Sequence, residues 1–289
     1  MIAQYIGMTA KTNTPVDVPI LRIEPAKSWV ALRLHELWEY RELLYFMIWR
    51  DVKVRYKQTA LGVTWAMAQP LMTMLVFTLV FNRFGGMPSE GVPYPLFSYA
   101  ALMVWTYFAK SLQSSIVSVA GNAHLVNKIY FPRLLLPISA TLSGLFDFAI
   151  AFVLLLGLLV WYGVMPSWPI LTLPIFLVFA MLTALSLGLW LSAINVQYRD
   201  IGQAIPFLIQ LWLFVSPVAY AVTMIPERWR LLYSLNPMVG VIEGFRWALF
   251  GNQFIAFDVF AISAISVVGF LWGGLYFFKR MERTFADLV

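Results

Sequence analysis

The chain has 289 residues, of which 61% are hydrophobic and only 12% charged, with a mean hydropathy of +0.77 and a net charge of +6. A soluble domain of this length could not bury so much apolar surface, so the composition predicts an all-α integral membrane protein. No cysteine is present, and His35 and His124 are far apart, which excludes disulfides, thiol chemistry and the usual metal motifs. The basic residues gather beside apolar runs, which favours a membrane orientation signal over a nucleic-acid partner.

The first 59 residues are predicted to form two parts. Residues 1–28 contain no apolar run of signal-peptide length, which predicts a cytoplasmic N-terminal arm. Residues 29–59 predict an amphipathic helix, because several apolar side chains fall within an arc of roughly 80° at helical spacing. These side chains are Val30, Leu34, Leu37, Leu44, Ile48 and Val52. The helix is too charged to span a bilayer, so we expect it to lie in the cytoplasmic interface.

The end of this interface helix carries charged residues that are candidates for function. They are Arg50, Asp51, Arg55 and Lys57. Arg55 intrudes on the apolar arc, where its guanidinium could snorkel to water or bind a partner. The alternative is that the helix only orients the chain in the membrane.

Residues 60–289 predict a transmembrane domain of six helices, because a spanning helix needs roughly 20 mainly apolar residues. The predicted spans are 61–82, 95–119, 134–161, 170–195, 204–223 and 257–278. Of the 20 Lys and Arg residues, fifteen lie on the side that holds both termini, four lie on the other side, and Lys110 lies inside a span. This asymmetry predicts that both termini are cytoplasmic.

The segment 224–250 predicts a re-entrant helical hairpin between spans five and six. Asn236–Pro237 divides it into apolar pieces too short to cross a bilayer, with Asn suited to the N-cap and Pro to the first helical position. Glu243 and Arg246 share one helix face, which we expect to turn toward protein, water or a channel. A plain amphipathic surface loop is the alternative.

Ionisable and aromatic residues inside the spans are the candidates for a transport route. Lys110 and Asp147 are predicted at a similar depth of roughly 15–20 Å in adjacent spans. We expect them either to neutralise each other or to face a substrate. The aromatic candidates Trp105, Phe108 and Trp212 would pack as core or line a route.

Motifs of enzymes are missing from the sequence. There is no GxxxxGK[ST], so the chain has no Walker-type cradle for ATP phosphates, and GxSxG and HExxH are absent as well. Glu36, Glu39 and Glu42 look like a carboxylate cluster, but on the predicted helix they form an exposed acidic ridge. The sequence predicts a non-enzymatic chain that binds no cofactor itself.

Five stretches from about residue 38 onward keep a recognisable order around the six spans. They are WEYRELLYFMIWRDVKVRYKQTALGVTWAMAQP, LVNKIYFPRLLLP, SAINVQYRDI, QLWLFVSPVAY and LNPMVGVIEGFRWAL. Together they resemble the permease subunits of type-2 ATP-binding-cassette exporters of polysaccharides. Wzm-type O-antigen exporters are the most similar, with capsule and teichoic-acid exporters as related groups.

The resemblance implies a homodimer around a central channel in the bacterial inner membrane, surrounded by membrane lipids and without a nucleic-acid partner. Two separate ATPase subunits would bind ATP and magnesium, and a lipid-linked polysaccharide would be the cargo. The segments 121–133 and 196–203 would couple the permease to these ATPases, and 224–250 would be the outward gate. The coupling candidates are Asn122, His124, Lys128, Tyr130, Arg133, Gln197, Tyr198, Arg199 and Asp200.

Two other functions stay open at this point. A type-2 exporter of a capsule, teichoic acid, lipid or drug would share the architecture. A membrane glycosyltransferase or ligase would need a polar catalytic cluster near an outer loop. After Glu90, the acidic residues on that side are Glu227, Glu243 and Asp258, and none of them is paired with another in the sequence.

Overall fold

The computed structural model describes residues 34–57, 62–251 and 257–285, which form helices joined by turns and contain no strand. The α-helices are α1 (Leu34–Glu39), α2 (Arg41–Lys57), α3 (Gly62–Phe77), α4 (Tyr94–Gly121), α5 (Ala123–Lys128), α6 (Leu135–Trp161), α7 (Leu173–Gln197), α8 (Asp200–Val215), α9 (Glu227–Tyr233), α10 (Pro237–Phe250) and α11 (Phe257–Met281). The predicted arm 1–28 and the two ends of the predicted interface helix, 29–33 and 58–59, lie outside the described residues.

Within the described ranges, four helical segments are long and apolar enough to cross a membrane. They are Thr64–Phe84, Leu135–Trp161, Trp168–Gln197 and Phe257–Thr284, which match predicted spans one, three, four and six. Predicted span two falls on α4, which is long but carries a polar run from Lys110 to Ser115. Predicted span five falls on α8, which is apolar but only 16 residues long. For α4 and α8, crossing the membrane stays a prediction.

Helix α8 ends earlier than the span predicted over 204–223. Ser216 is extended, with φ −100° and ψ 152°, and it precedes Pro217. The proline ring disfavours helical backbone at the residue before it, so the helix stops at Val215. The chain then turns into the protein, where Val218 and Ala221 are fully buried. The predicted helix over 204–223 is therefore too long.

Helix α4 is the central element, packed against α3, α6, α7, α8 and α10. Small residues allow its closest contacts. A Cβ atom on Gly188 of α7 would lie 2.3 Å from Ser115 Oγ, and one on Gly144 of α6 would lie 2.5 Å from Ser111 Oγ. Small residues at helix crossings let two backbones approach closely, as is common in membrane bundles. The tight packing fixes the rotation of α4 and hence the direction of its Lys110 face.

The predicted interface helix is divided at Tyr40, where α1 ends and α2 begins. Part of the predicted apolar arc packs against protein, because Val52 is buried and Leu37 and Leu44 are half-buried. A second apolar face of α2 is exposed and consists of Tyr45, Phe46 and Trp49, and Trp38 and Val54 are exposed as well. Aromatic residues of this kind are enriched where a membrane meets water. The helix thus uses one apolar face for the bundle and leaves an aromatic one uncovered.

One end of the bundle is closed by an apolar cluster that joins several elements. Its buried members include Met47, Val126, Phe131, Leu189, Phe278 and Phe285. They come from α2, α5, the α5–α6 turn, α7, α11 and the turn after α11. We call this the closed end. The opposite end contains α9, the start of α10 and the segment 216–226, where Tyr94 Oη donates a hydrogen bond to Ala219 O at 2.7 Å.

Candidate functional site

The predicted coupling residues all lie at the closed end, in two turns. The turn around α5 exposes His124, Lys128 and Tyr130, whereas Asn122 and Arg133 are half-buried. The turn between α7 and α8 exposes all of its predicted residues, Gln197, Tyr198, Arg199 and Asp200. The structure therefore presents polar and charged side chains from both turns on the surface at the same end. A separate protein could contact both of them.

A buried amide positions the second coupling turn. Asn195 is 4% exposed, and both ends of its side chain are used. Its Nδ2 donates to Ile116 O of α4 at 3.3 Å, and its Oδ1 accepts from the Gly202 backbone N at 2.8 Å. Asn195 thus ties α7 both to α4 and to the first turn of α8. The sequence analysis missed this residue, although an amide in an otherwise apolar span is a recognisable signal.

The first coupling turn is held by the chain beyond α11. Glu282 Oε1 accepts from the Arg133 backbone N at 3.0 Å, and the Arg133 guanidinium donates to Glu282 O. Lys279 forms an ion pair with the other Glu282 oxygen at 2.8 Å. Phe285, fully buried, packs edge-on against Phe278. Glu282 was also missed, because nothing in the sequence links it to Arg133, 149 residues away.

A second polar cluster joins α2 to α6. Arg55 Nη1 donates to Asp147 Oδ2 at 2.8 Å, and the Tyr56 hydroxyl donates to Asp147 Oδ1. Burial raises the pKa of Tyr56 above its ordinary value, so the phenol stays protonated as a donor. Asp147 is therefore held by two residues from the end of α2.

This arrangement corrects the expected pairing of Lys110 with Asp147. The two residues do line the same cavity, but the ion pair is formed by Arg55. The other candidate residues of α2 have different surroundings. Arg50 forms an ion pair with its neighbour Asp51 at 2.9 Å, and Lys57 is exposed.

The segment predicted as a hairpin contains α9 and α10, joined at Asn236–Pro237. The predicted cap is confirmed: Asn236 Oδ1 accepts from Met238 N at 3.1 Å, and Pro237 is the first helical residue. The two helices differ in burial. Val241 and Leu249 of α10 are fully buried, whereas Leu231 and Leu232 of α9 are about half exposed. Helix α10 is therefore part of the protein core, whereas α9 leaves apolar side chains uncovered.

Arg246 of α10 is buried inside the protein and contacts several of its segments. It is 4% exposed, and its guanidinium lies 3.5 Å from the centroid of the Phe97 ring. It forms an ion pair with Glu243 at 2.8 Å and donates to Val218 O at 2.9 Å. Longer hydrogen bonds of 3.4 Å reach Tyr220 O and Phe97 O. The Glu243–Arg246 face is thus turned toward protein of the same subunit and is not presented to a channel by this chain.

The aromatic candidates form one cluster between α4 and α8. The ring of Trp212 lies 6.2 Å from that of Trp105 and 5.3 Å from that of Phe108. Trp105 and Phe108 are buried, and Trp212 is half-buried. Edge-to-face contacts of this kind stabilise a core. In the single chain these residues act as core packing, which was one of the two alternatives.

The sequence of the chain is similar to one family and to named transport proteins. The family described as ABC-2 type transporter matches residues 42–250. The O-antigen export system permease protein RfbA of Myxococcus xanthus is 30% identical over 260 residues, covering 89% of this chain and 98% of that protein. A protein of the same name from Klebsiella pneumoniae is 28% identical and covers 86% and 95%. The polysialic acid transport protein KpsM of Escherichia coli is 23% identical and covers 67% and 76%.

Proposed function

The chain belongs to the ABC-2 type transporter family, and from that premise we propose that it is the permease of an ATP-driven exporter of O-antigen-like polysaccharide. The observation that carries this proposal is the similarity to export permeases named for O-antigen, which extends over most of the chain and nearly all of each relative. An isolated shared motif would not produce such coverage. The chain is accordingly a membrane transport subunit rather than an enzyme.

Energy for export would come from a separate ATPase of the ATP-binding-cassette type. The chain has no phosphate-binding loop, so ATP and magnesium would be bound by that partner. The two exposed turns at the closed end supply a docking surface, and Asn195 and Glu282 connect them to the bundle. We place two ATPase copies against a homodimer of this chain, because each permease copy carries one such surface.

The membrane arrangement follows from the same premise. We place α4 and α8 across the membrane as the second and fifth of six spans, with both termini in the cytoplasm. The closed end would then face the cytoplasm, and α9 and α10 would form a re-entrant hairpin in the outer leaflet. The exposed aromatic face of α2 supports a position along the cytoplasmic interface.

A polysaccharide needs a lined route and an energy source. Moving each unpaired hydroxyl into hydrocarbon costs about 2–7 kcal/mol, so a sugar polymer does not cross a bilayer unaided. The proposed cargo is a lipid-linked glycan that enters from the cytoplasmic leaflet. A capsule polysaccharide is the second candidate, which the similarity to a polysialic acid transport protein favours over a drug or a simple lipid.

The acidic residues near the outer end do not support a glycosyltransferase or ligase. Glu243 is held by Arg246, and Glu227 lies 3.8 Å from Arg230. Glu90 Oε1 accepts a hydrogen bond from Thr223. A glycosyl-transfer site would need carboxylates aimed at a common open position. Glu243 and Glu90 instead contact the protein's own chain, and Glu227 is a single exposed carboxylate.

Deletion of the gene tests the proposed function. Lipid-linked glycan should accumulate on the cytoplasmic side and disappear from the surface, and the wild-type gene should restore export. The pair Arg199→Ala with Asp200→Ala should lose co-purification with the ATPase, because both side chains are exposed in the second coupling turn. Glu227→Ala with Arg228→Ala changes two exposed charges at the opposite end and should keep the complex.

Each result can contradict a different part of the proposal. Normal surface glycan in the deletion strain would exclude the export function. An intact, fully coupled ATPase complex with Arg199 and Asp200 both replaced would leave export in place but exclude the α7–α8 turn as the point of transmission.

A further inference from the structure

Amide side chains are exposed along three neighbouring helices of the bundle. They are Gln69 of α3, Gln113 of α4, and Gln203 and Gln210 of α8. Gln203 lies in the first turn of α8. At a rise of 1.5 Å per residue, the other three lie about 10–15 Å inside their helices, counted from the ends that adjoin the closed end. Gln69, Gln113 and Gln210 therefore share one level of the bundle, and we call them the amide track.

The other long helices expose a different kind of surface. Away from their ends, the exposed side chains of α6, α7 and α11 are apolar, and they include Val153, Leu156, Ile175, Val178, Ile265 and Val268. Such a surface suits lipid tails, whereas an amide in hydrocarbon loses its hydrogen bonds to water without replacement. The amide track therefore marks a side of the bundle that faces something other than lipid tails.

Gln113 lies in an opening between α3 and α8. Thr106, Gln113 and Val117 share one face of α4 at helical spacing. Thr106 lines a cavity together with Pro70 of α3. Val117 lies 3.5 Å from the position that a Cβ atom on Gly202 of α8 would take. Helices α3 and α8 thus border the exposed face of α4 on two sides, and each of them contributes an exposed amide.

Helix α8 exposes two faces of different chemistry. The first face alternates amides with aromatic rings at spacings of three and four residues, and consists of Gln203, Phe207, Gln210 and Phe214. The second face is apolar and consists of Leu208, Leu211 and Val215. An aromatic ring can pack on the C–H surface of a sugar, and an amide both donates to hydroxyl groups and accepts from them. The first face therefore suits a carbohydrate, and the second suits lipid.

We propose that the amide track hydrogen-bonds the hydroxyl groups of the polysaccharide as it passes along α4, while Phe207 and Phe214 pack on the C–H surfaces of its rings. The inference rests on the proposed export function and names the residues that meet the cargo. Neutral amides exchange one hydroxyl for the next without breaking a strong ionic bond, so the polymer can move. A contact between two copies of the protein is the alternative use of this face. Helix contacts in membranes favour small residues, however, and this face of α8 carries two phenylalanines.

Single cysteines measure whether the track faces water, because the native chain has no cysteine. Membrane vesicles from the deletion strain complemented with each variant are supplied with ATP and treated on both sides with a charged methanethiosulfonate reagent. Gln113→Cys and Gln210→Cys should react at least about tenfold faster than Val153→Cys and Val268→Cys, because a thiol in apolar surroundings keeps its proton. Equal rates at the amide and valine positions would overturn the proposal.

Polysaccharide in the route should protect the track. Compared with vesicles from a strain that makes no polysaccharide, reaction at Gln113→Cys and Gln210→Cys should slow several-fold when the glycan is present. Gln113→Leu with Gln210→Leu should slow export several-fold at unchanged protein yield, because hydrogen bonds to the cargo are lost. Gln113→Asn with Gln210→Asn keeps both amides and should export faster than the leucine pair. Val153→Leu with Val268→Leu is the matched control and should export normally.

The remaining outcomes separate this inference from the export function. Fast labelling that polysaccharide does not slow, with normal export by the leucine pair, would show a water-filled space that the cargo does not touch and would overturn the proposal. Disulfide formation between subunits at Gln210→Cys, unaffected by polysaccharide, would overturn it in favour of a contact between copies. Slow labelling of the track, in a strain whose deletion blocks export, would exclude the amide track alone. Normal surface glycan in the deletion strain would exclude export, and the labelling rates would still measure water access.

Discussion

Arg55 of α2 and Asp147 of α6 are 92 residues apart in sequence and form an ion pair of 2.8 Å between Nη1 and Oδ2. The Asp147 side chain is only 12% exposed and that of Arg55 31% exposed. The pair therefore joins the interface helix to the bundle in a partly buried position. Any movement of α2 would be transmitted through it to α6.

Breaking this pair should destabilise the protein. Arg55→Met or Asp147→Asn alone should lower the free energy of unfolding by about 1–3 kcal/mol, because each leaves a charged partner unsatisfied. The double substitution should cost less than the sum, since the two residues are coupled. Thermal unfolding in detergent measures the effect, with Lys53→Met as a control. Additive losses would contradict the direct pairing.

Arg246 should not tolerate replacement by lysine. Its planar guanidinium reaches Glu243 and the carbonyls of Val218 and Tyr220 together, which a single ammonium cannot do. Arg246→Lys should lower the yield of folded protein and abolish export. Arg228→Lys on the exposed face of α9 is the matched control. Yield can be followed by size-exclusion chromatography. Full export with Arg246→Lys would contradict the requirement for a guanidinium that makes these contacts together.

A cysteine at Glu243 tests the position of this face in the assembly. Because the Glu243 side chain is 11% exposed within its own subunit, crosslinking between two copies should not occur. The native chain has no cysteine, so the background is clean. Efficient crosslinking between subunits would show that α10 turns its Glu243 face outward during transport.

Asn195 should matter for coupling more than for folding. Asn195→Leu removes the hydrogen bonds to Ile116 O and Gly202 N, so the α7–α8 turn loses its fixed position. We expect ATP hydrolysis by the assembled complex to continue while glycan export per ATP falls. Lys53→Met, at an exposed site on α2, should leave that ratio unchanged. An unaltered ratio with Asn195→Leu would exclude this positioning role.

Glu282 should position the first coupling turn through Arg133. Glu282→Ala removes the acceptor of the Arg133 backbone N and the partner of Lys279. Glu282→Gln keeps an oxygen acceptor and should retain more of the coupling between ATP hydrolysis and export. Glu42→Ala, at an exposed site on α2, is the control. The same loss with Gln as with Ala would show that the charge of Glu282, rather than its bond to Arg133, is what matters.

Several features were readable from the sequence because they depend on local interactions or on composition. The apolar runs predicted spans one, three, four and six, since a membrane helix satisfies its own backbone. The cap at Asn236–Pro237 involves residues two positions apart, so its residue types suffice to predict it. The missing phosphate loop likewise needed no structure.

Other features were decided by tertiary structure, because they depend on how helices rotate and where they meet. Sequence spacing predicted that Asp147 lies beside Lys110. It could not show that Arg55, at the end of α2, forms the ion pair with Asp147 instead. The spacing of Glu243 and Arg246 predicted that the two residues share one helix face. Packing against Phe97, 149 residues away from Arg246, turns that face toward the interior of the protein. Helical periodicity fixes which residues share a face, and only packing determines what that face contacts.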